Sequence, residues 1–333
     1  MSEPDDIRVI GIDLGGSNVR AAVVNAEGQI LARHQCITPA GEGSKAVVGS
    51  ILESVGRVLD QAHMTASDLG AVGLACAGLS SPETGILYTS PNIPELKDVP
   101  LVGLIEKEVD KKVFLMNDAN AAAVGEMYLG AARGARNFVY ITLSTGIGGG
   151  VIIGGKIYAG STGFASEPGH MVISDEGPVC YCGSRGCWET LASGTALASY
   201  ALRRIKEGVK TSIPDHVDGD IEKVTAEDVH QAAQAGDALA REVITRTAYY
   251  VGVGLANLIN LFNPELIVIG GGLSNIGDML LEPAYQEAKR RAFMPAYQAV
   301  RFARAELGDD SGVLGAAIFV LGETEGLGGL LGQ

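Results

Sequence analysis

Apolar residues run along this chain in short bursts separated by glycine-rich turns, and the bursts come in a recurring order. Ile7 to Asp13 (IRVIGID) reads as an apolar strand ending in an aspartate. The turn Leu14-Gly15-Gly16-Ser17 leads into a second strand, Asn18 to Asn25, and Ala26-Glu27-Gly28 turns the chain into a third near Gln29 to Ile37. From Ala46 to Met64 the apolar positions Val47, Val48, Ile51, Leu52, Val55, Val58 and Leu59 keep the spacing of one helix face. Gly70 to Cys76 predicts a buried strand, and the Pro-, Ser- and Gly-rich stretches AGLSSPETG and SPNIPELKDVP predict surface loops. A helix follows over about Leu101 to Glu108. Val113 to Met116 is then a strand, running through Asn117-Asp118 into a helix of small residues.

Phe138 to Tyr158 repeats the opening: a strand (FVYITL), a turn of small residues (STGIGGG), a strand (VII), the turn Gly154-Gly155 and a short strand (KIY). The echo predicts two halves of similar topology facing each other across a cleft. Helices are expected over Ala192 to Arg204, Asp237 to Leu261, Asp278 to Arg291 and Ser311 to Gly322, with an acidic, loop-like stretch from Asp215 to Asp228. The third of these ranges is preceded by a buried strand, Glu265 to Ile269, that runs into Gly270-Gly271-Gly272. Strands and helices alternating in this way make the fold class α/β. The Gly- and Leu-rich segment EGLGGLLGQ is expected to be loosely held.

At 333 residues the chain is too long for one ordinary core and suits two domains. A net charge of −14 repels phosphate backbones, and an aromatic fraction of 5% offers few stacking platforms, so nucleic acid is not an expected partner. No apolar run is long enough to cross a bilayer and no basic-then-apolar leader opens the sequence, which predicts a cytoplasmic protein. Cys36 and Cys76 fall in apolar strands and read as reduced core residues.

Chemistry concentrates between Glu167 and Glu189. Cys180, Cys182 and Cys187 have the spacing C-x-C-x4-C, with Gly183 and Gly186 permitting tight turns, and His170 precedes them. Three thiolates and an imidazole form the closed tetrahedral donor set of a structural zinc site; a disulfide is the alternative, and it would leave one cysteine unpaired. Glu167 and Glu189 flank the stretch, so an ion that fixes the loop fixes both carboxylates. The Gly15-Gly16 and Thr145-Gly146 turns either build hairpins or offer bare N–H groups to phosphate oxygens. Neither is a G-x-G-x-x-G followed by a helix, so a dinucleotide unit is not supported. Gly270-Gly271-Gly272 is either an elbow or a close backbone approach to a flat ligand. Asn117-Asp118 is a helix cap or a hydrogen-bond acceptor for an attacking hydroxyl.

DLGGSN at Asp13 to Asn18, ND at Asn117-Asp118, LSTGIGGG at Leu143 to Gly150, EPGH at Glu167 to His170, CYCGSRGCWE at Cys180 to Glu189 and IGGG at Ile269 to Gly272 occur in this order. Together they resemble the ROK family of sugar kinases, and within it the bacterial glucokinases. The resemblance implies an actin-like, hexokinase-type ATPase fold of two similar domains around a cleft. The first would hold residues 1–118 with a C-terminal helix at about 311–322, the second 119–310 with a zinc-binding loop at 167–189. It implies ATP-dependent phosphorylation of the 6-hydroxyl of glucose, or of an N-acetylhexosamine, mannose or fructose, with a non-catalytic sugar-sensing regulator as the other class. Asp118 would be the general base, and Asn92, Asn117, Glu167, His170 and Glu189 would hold sugar hydroxyls. Asp13 would position magnesium, Gly15, Gly16, Ser17, Thr145 and Gly146 would hold phosphates, and Gly271 and Gly272 would lie near the adenosine. Structural zinc on His170, Cys180, Cys182 and Cys187, Mg2+ with ATP, and a homodimer or homotetramer complete what it implies. Ser17 stands where the family usually has threonine, and loses only a methyl group. Only six residues precede Ile7, so no DNA-binding head of the kind found in the family's repressors is expected.

Overall fold

A computed structural model describes residues 7–324. The EGLGGLLGQ segment lies outside the described residues. Strands are β1 (Arg8–Leu14), β2 (Asn18–Asn25), β3 (Ile30–Ile37), β4 (Val72–Cys76), β5 (Leu79–Ser81), β6 (Ile86–Thr89), β7 (Lys97–Val99), β8 (Val113–Asn117), β9 (Phe138–Leu143), β10 (Ile147–Ile153), β11 (Lys156–Ile157), β12 (Leu266–Gly270) and β13 (Arg301–Arg304). Helices are α1 (Ser44–Ala62), α2 (Leu101–Val109), α3 (Asp118–Tyr128), α4 (Trp188–Ala192), α5 (Gly194–Lys206), α6 (Ala226–Gln234), α7 (Ala238–Phe262), α8 (Asp278–Arg291), α9 (Met294–Ala299) and α10 (Ser311–Thr324). None of them is long and apolar enough to cross a membrane.

One five-stranded sheet has the order β3-β2-β1-β4-β8, and the other the order β11-β10-β9-β12-β13. The internal echo in the sequence is therefore real: each sheet begins with two hairpins and then adds two later strands on the far side of its first. In the first sheet β1 pairs antiparallel with β2 and parallel with β4, and β4 parallel with β8. Parallel pairing brings the ends of β1, β4 and β8 to one edge, with Leu14 opposite Cys76 and Cys76 opposite Asn117. The stretches read as loops after β4 instead make a small antiparallel sheet, β5-β6-β7. These strands, of three or four residues each, are too short to show a period of two.

The chain divides into two compact units. One comprises the residues up to Tyr140, Gly150–Ser166 and those from Ala305 on; the other comprises Ile141–Gly149 and Glu167–Arg304. The core of the first is apolar β1, β2, β4 and β8 under α1, α2 and α10, with Ile10, Ile12, Leu14, Val47, Ile51 and Leu74 fully buried. α10 reaches the sheet backbone to backbone. A Cβ on Gly11 would lie 2.1 Å from the Val313 carbonyl oxygen, one on Gly73 2.1 Å from that of Ala316, and one on Gly315 1.7 Å from that of Ala121. In the second unit the long α7 packs on α8, and Trp188, fully buried on α4, fits against Gly254 of α7 and donates its indole N–H to the Tyr250 carbonyl at 2.8 Å.

Candidate functional site

In the first unit the predicted residues gather at the ends of β1, β4 and β8. Gly15 N–H donates to the Asn18 carbonyl at 3.0 Å, closing the β1–β2 turn, and Thr38 Oγ1 donates to the Gly15 carbonyl at 2.8 Å. Gly16 is pressed against Asn92: a Cβ there would sit 2.5 Å from that of Asn92. The turn and the Asn92 loop, well separated in sequence, are thus neighbours. Asn117 caps α3, its Oδ1 accepting from the N–H groups of Ala119 at 2.9 Å and Asn120 at 3.1 Å. That occupies its oxygen and leaves the amide N–H pair for other partners. Asp118 Oδ1 accepts from Ala119 N–H at 2.9 Å.

Asp13 and Asp118 are close enough for their charges to interact. Burial first, then the Asp118 charge, raises the Asp13 carboxyl to about 6 even though Arg20 opposes the shift. Arg20 Nη1 donates to Asp13 Oδ2 at 3.3 Å. Burial raises the Asp118 carboxyl as well. Gly312 of α10 lacks the Cβ that would stand 2.9 Å from the Asp13 carboxyl carbon, so the aspartate lies against the first turn of that helix. Two interacting carboxylates, only one of which has an arginine partner, favour a further cation.

In the second unit His170, Cys180, Cys182 and Cys187 place one donor atom each within 4.8 Å of all the others. Cys180 Sγ is 3.6 Å from His170 Nδ1, and Cys182 Sγ is 3.7 Å from Cys187 Sγ. A disulfide needs about 2.05 Å, so that alternative falls, and all five cysteines are free. The set can hold one metal ion. The Ser184 N–H lowers the exposed Cys182 thiol, whereas burial pushes Cys187 up to about 12. His170 Nε2 lies 2.9 Å from the Tyr181 hydroxyl, a partner that sequence reasoning missed.

Glu189, and Gly169 two residues after Glu167, meet the second hairpin. Glu189 Oε2 accepts from the Ile147 N–H at 2.9 Å, and Gly146 must lack a side chain because its Cβ would stand 2.2 Å from that oxygen. Gly169, between Glu167 and His170 in the EPGH motif, abuts the other side of the same residue, its absent Cβ 2.1 Å from the Ile147 carbonyl oxygen. Ser144 and Thr145 are held in turn by Gly194 N–H donating to the Ser144 carbonyl at 2.8 Å and Thr195 N–H to that of Thr145 at 3.3 Å.

Beside that turn opens a cavity of about 610 Å3 lined by Thr145 and Gly272, two predicted residues, together with Thr195, Ser199, Glu222 and Asn275, which sequence reasoning missed. Gly271 serves differently. It has φ +84° and packs its Cα on the Leu143 carbonyl, where a Cβ would be 2.3 Å from the oxygen. Gly272 has open space around it. Gly150, read as the end of a turn of small residues, lies inside β10 and lets that strand touch Ala123 of α3.

Residues 9–323 match the ROK family. The glucokinase of Halalkalibacterium halodurans is 39% identical over 313 residues, covering 93% of this chain and 94% of that one. The xylose repressor of Bacillus subtilis is 30% identical, covering 94% of this chain and 76% of that one. Among solved structures, a ROK family glucokinase from Streptomyces griseus in complex with glucose and AMPPNP superposes with a TM-score of 0.79 at 35% identity, covering 93% of this chain and 98% of that one.

Proposed function

The chain belongs to the ROK family and has its actin-like α/β fold, and we propose that it transfers the terminal phosphoryl group of ATP to the 6-hydroxyl of glucose. One observation carries this reading: Asp118, partly buried at a strand-to-helix junction, has one carboxylate oxygen without a recorded bond at the edge where β1, β4 and β8 end, within charge-interaction range of Asp13. A buried carboxylate there orients a hydroxyl early and accepts its proton as the new bond to phosphorus forms.

Asn92, the free amide of Asn117, Glu167, His170 and Glu189 hold the remaining hydroxyls. Each such contact rejects the wrong stereoisomer by leaving a polar group unpaired. The Gly15-Gly16-Ser17 and Thr145-Gly146 turns offer N–H groups to phosphates, which suits a protein with a charge of −14. The nucleoside occupies the cavity at Gly272. Its lining holds Glu222 and Glu227 and no lysine or arginine, which suits ribose hydroxyls and not a long polyanion such as polyphosphate.

Zinc is the ion proposed for His170 and the three cysteines. With Zn–S of about 2.3 Å and Zn–N of about 2.05 Å, tetrahedral edges are about 3.8 Å between sulfurs and 3.6 Å from sulfur to nitrogen. The separations of 3.7 Å and 3.6 Å fit them. Such an ion supplies rigidity, fixing the His170 ring so that Nε2, now against Tyr181, can serve a sugar hydroxyl. Magnesium would be positioned by Asp13, whose raised carboxyl is what a cation would relieve, and would supply charge neutralisation on the phosphates. A cytoplasmic homo-oligomer completes the reading.

The test is a coupled assay over glucose, mannose, fructose and N-acetylhexosamines with ATP and polyphosphate. Glucose with ATP should be preferred, and Asp118→Asn should lose about two to four orders of magnitude in turnover with modest change in sugar affinity. Near wild-type turnover in that variant would remove Asp118 from the mechanism. Tight sugar binding without any transfer by the wild type would instead support a sugar-sensing regulator.

A further inference from the structure

Ile147 is the first residue after the Thr145-Gly146 turn, and its peptide groups are gripped on both sides by the loop that carries the metal donors. Glu189 takes its N–H and Gly169 packs on its carbonyl oxygen. Both contacts stand close to the donor set. Gly169 immediately precedes His170, while Cys187 is the N-cap of α4, whose second residue is Glu189. The far end of α4 continues the grip, because Ser193, Gly194 and Thr195 lead into α5 and the last two donate to the Ser144 and Thr145 carbonyls. Trp188 anchors α4 on α7. The turn is thus held by one short helix rather than by its own hairpin alone.

Glu189 has two carboxylate oxygens. Oε2 faces the Ile147 N–H, and no bond is recorded for Oε1. Resting on the kinase reading above, we propose that Glu189 is a positioning residue for the phosphate donor as well as a sugar ligand. Its Oε2 holds the Thr145-Gly146 turn in the shape that receives phosphate oxygens, and the metal cluster is thereby coupled to nucleotide affinity through α4. A residue that touched only the sugar would have no influence on the nucleotide in the sugar's absence.

The experiment measures AMPPNP binding by calorimetry with magnesium present and sugar absent. Glu189→Ala should weaken it about tenfold, the loss of one charge-assisted hydrogen bond. Glu189→Gln retains an oxygen that accepts from Ile147 N–H and should stay within about threefold of the wild type. Glu189→Asp keeps the charge but shortens the reach by a methylene; it should resemble Glu189→Ala and serves in its place if that variant fails to fold. Cys187→Ser should weaken AMPPNP by a similar factor, and adding Glu189→Ala to it should cost little more, as expected of two changes in one linkage.

Unchanged AMPPNP affinity in Glu189→Ala and Glu189→Asp, with a wild type that binds AMPPNP and phosphorylates glucose, would overturn the proposal and leave the kinase reading standing. Equal weakening in Glu189→Gln and Glu189→Ala would overturn it too, since charge and not the hydrogen bond would then be responsible. A wild type that neither binds AMPPNP nor transfers phosphate would overturn both.

Discussion

Asp13 shows how a buried carboxylate burdens the fold that carries it. Its folded carboxyl titrates at about 6 against 3.8 in the unfolded chain, because burial and the Asp118 charge outweigh Arg20. The folded state therefore binds the proton more tightly, and stability falls as pH rises from about 4 through 6, then levels. The shift corresponds to roughly 3 kcal/mol at pH 7. Asp13→Asn should accordingly raise the melting temperature of the magnesium-free protein at pH 7.5, with the gain vanishing near pH 4, while activity is lost. Arg20 keeps Asp309 as a partner at 3.9 Å, so the variant does not strand a cation. A melting series that shows the gain growing toward low pH would contradict this sign. At this scale the sequence was most legible where chemistry is packed into a few consecutive residues. His170, Cys180, Cys182 and Cys187 could be grouped from spacing because one short loop supplies all four. The bond from Ile147 to Glu189 was not legible, since it joins residues 42 apart through a main-chain N–H that every residue but proline carries.

Among the elements, α4 is short and yet sits between three things: the candidate metal donors before it, the Ser144-Thr145 turn beside it and α7 beneath it. Periodicity predicted a helix from Ala192 to Arg204, which the chain makes as α5, but it did not show α4, which precedes it and ends at Ala192 before a break at Ser193. The break comes from capping: Ser193 Oγ accepts from Ala196 N–H at 3.1 Å, and a five-residue helix is too brief to show a period. Anchorage of α4 depends on Gly254, where a Cβ would lie 2.0 Å from the Trp188 ring. Gly254→Ala should therefore cost about 2–4 kcal/mol by overpacking a rigid ring. Because the displaced helix carries Cys187, metal stoichiometry should fall together with the melting temperature. A variant that melts early but retains a full complement of metal would show that α4 and the cluster are independent.

For the whole molecule, the two sheets were legible because each opens with the same strand-turn-strand-turn-strand order. The glycines at 11, 73 and 315 were not: each reads locally as an ordinary position in a strand or helix, and its meaning lies in a partner far away in the chain. Deleting α10 should leave the remaining chain insoluble or lacking fixed tertiary structure, judged by near-ultraviolet circular dichroism, because it uncovers the apolar side of β1 and β4. A soluble, cooperatively melting product would mean that this face has another cover. The same seam has a temporal side. β1 and β4 leave the ribosome early, whereas the helix shaped to Gly11 and Gly73 begins at Ser311. At roughly 5–20 residues per second, the nascent sheet waits about 12–50 s for its lid. Over that interval the apolar groove is open to other nascent chains and to holdase chaperones, so the yield of active enzyme in a cell should follow elongation rate and chaperone supply more closely than it follows equilibrium stability.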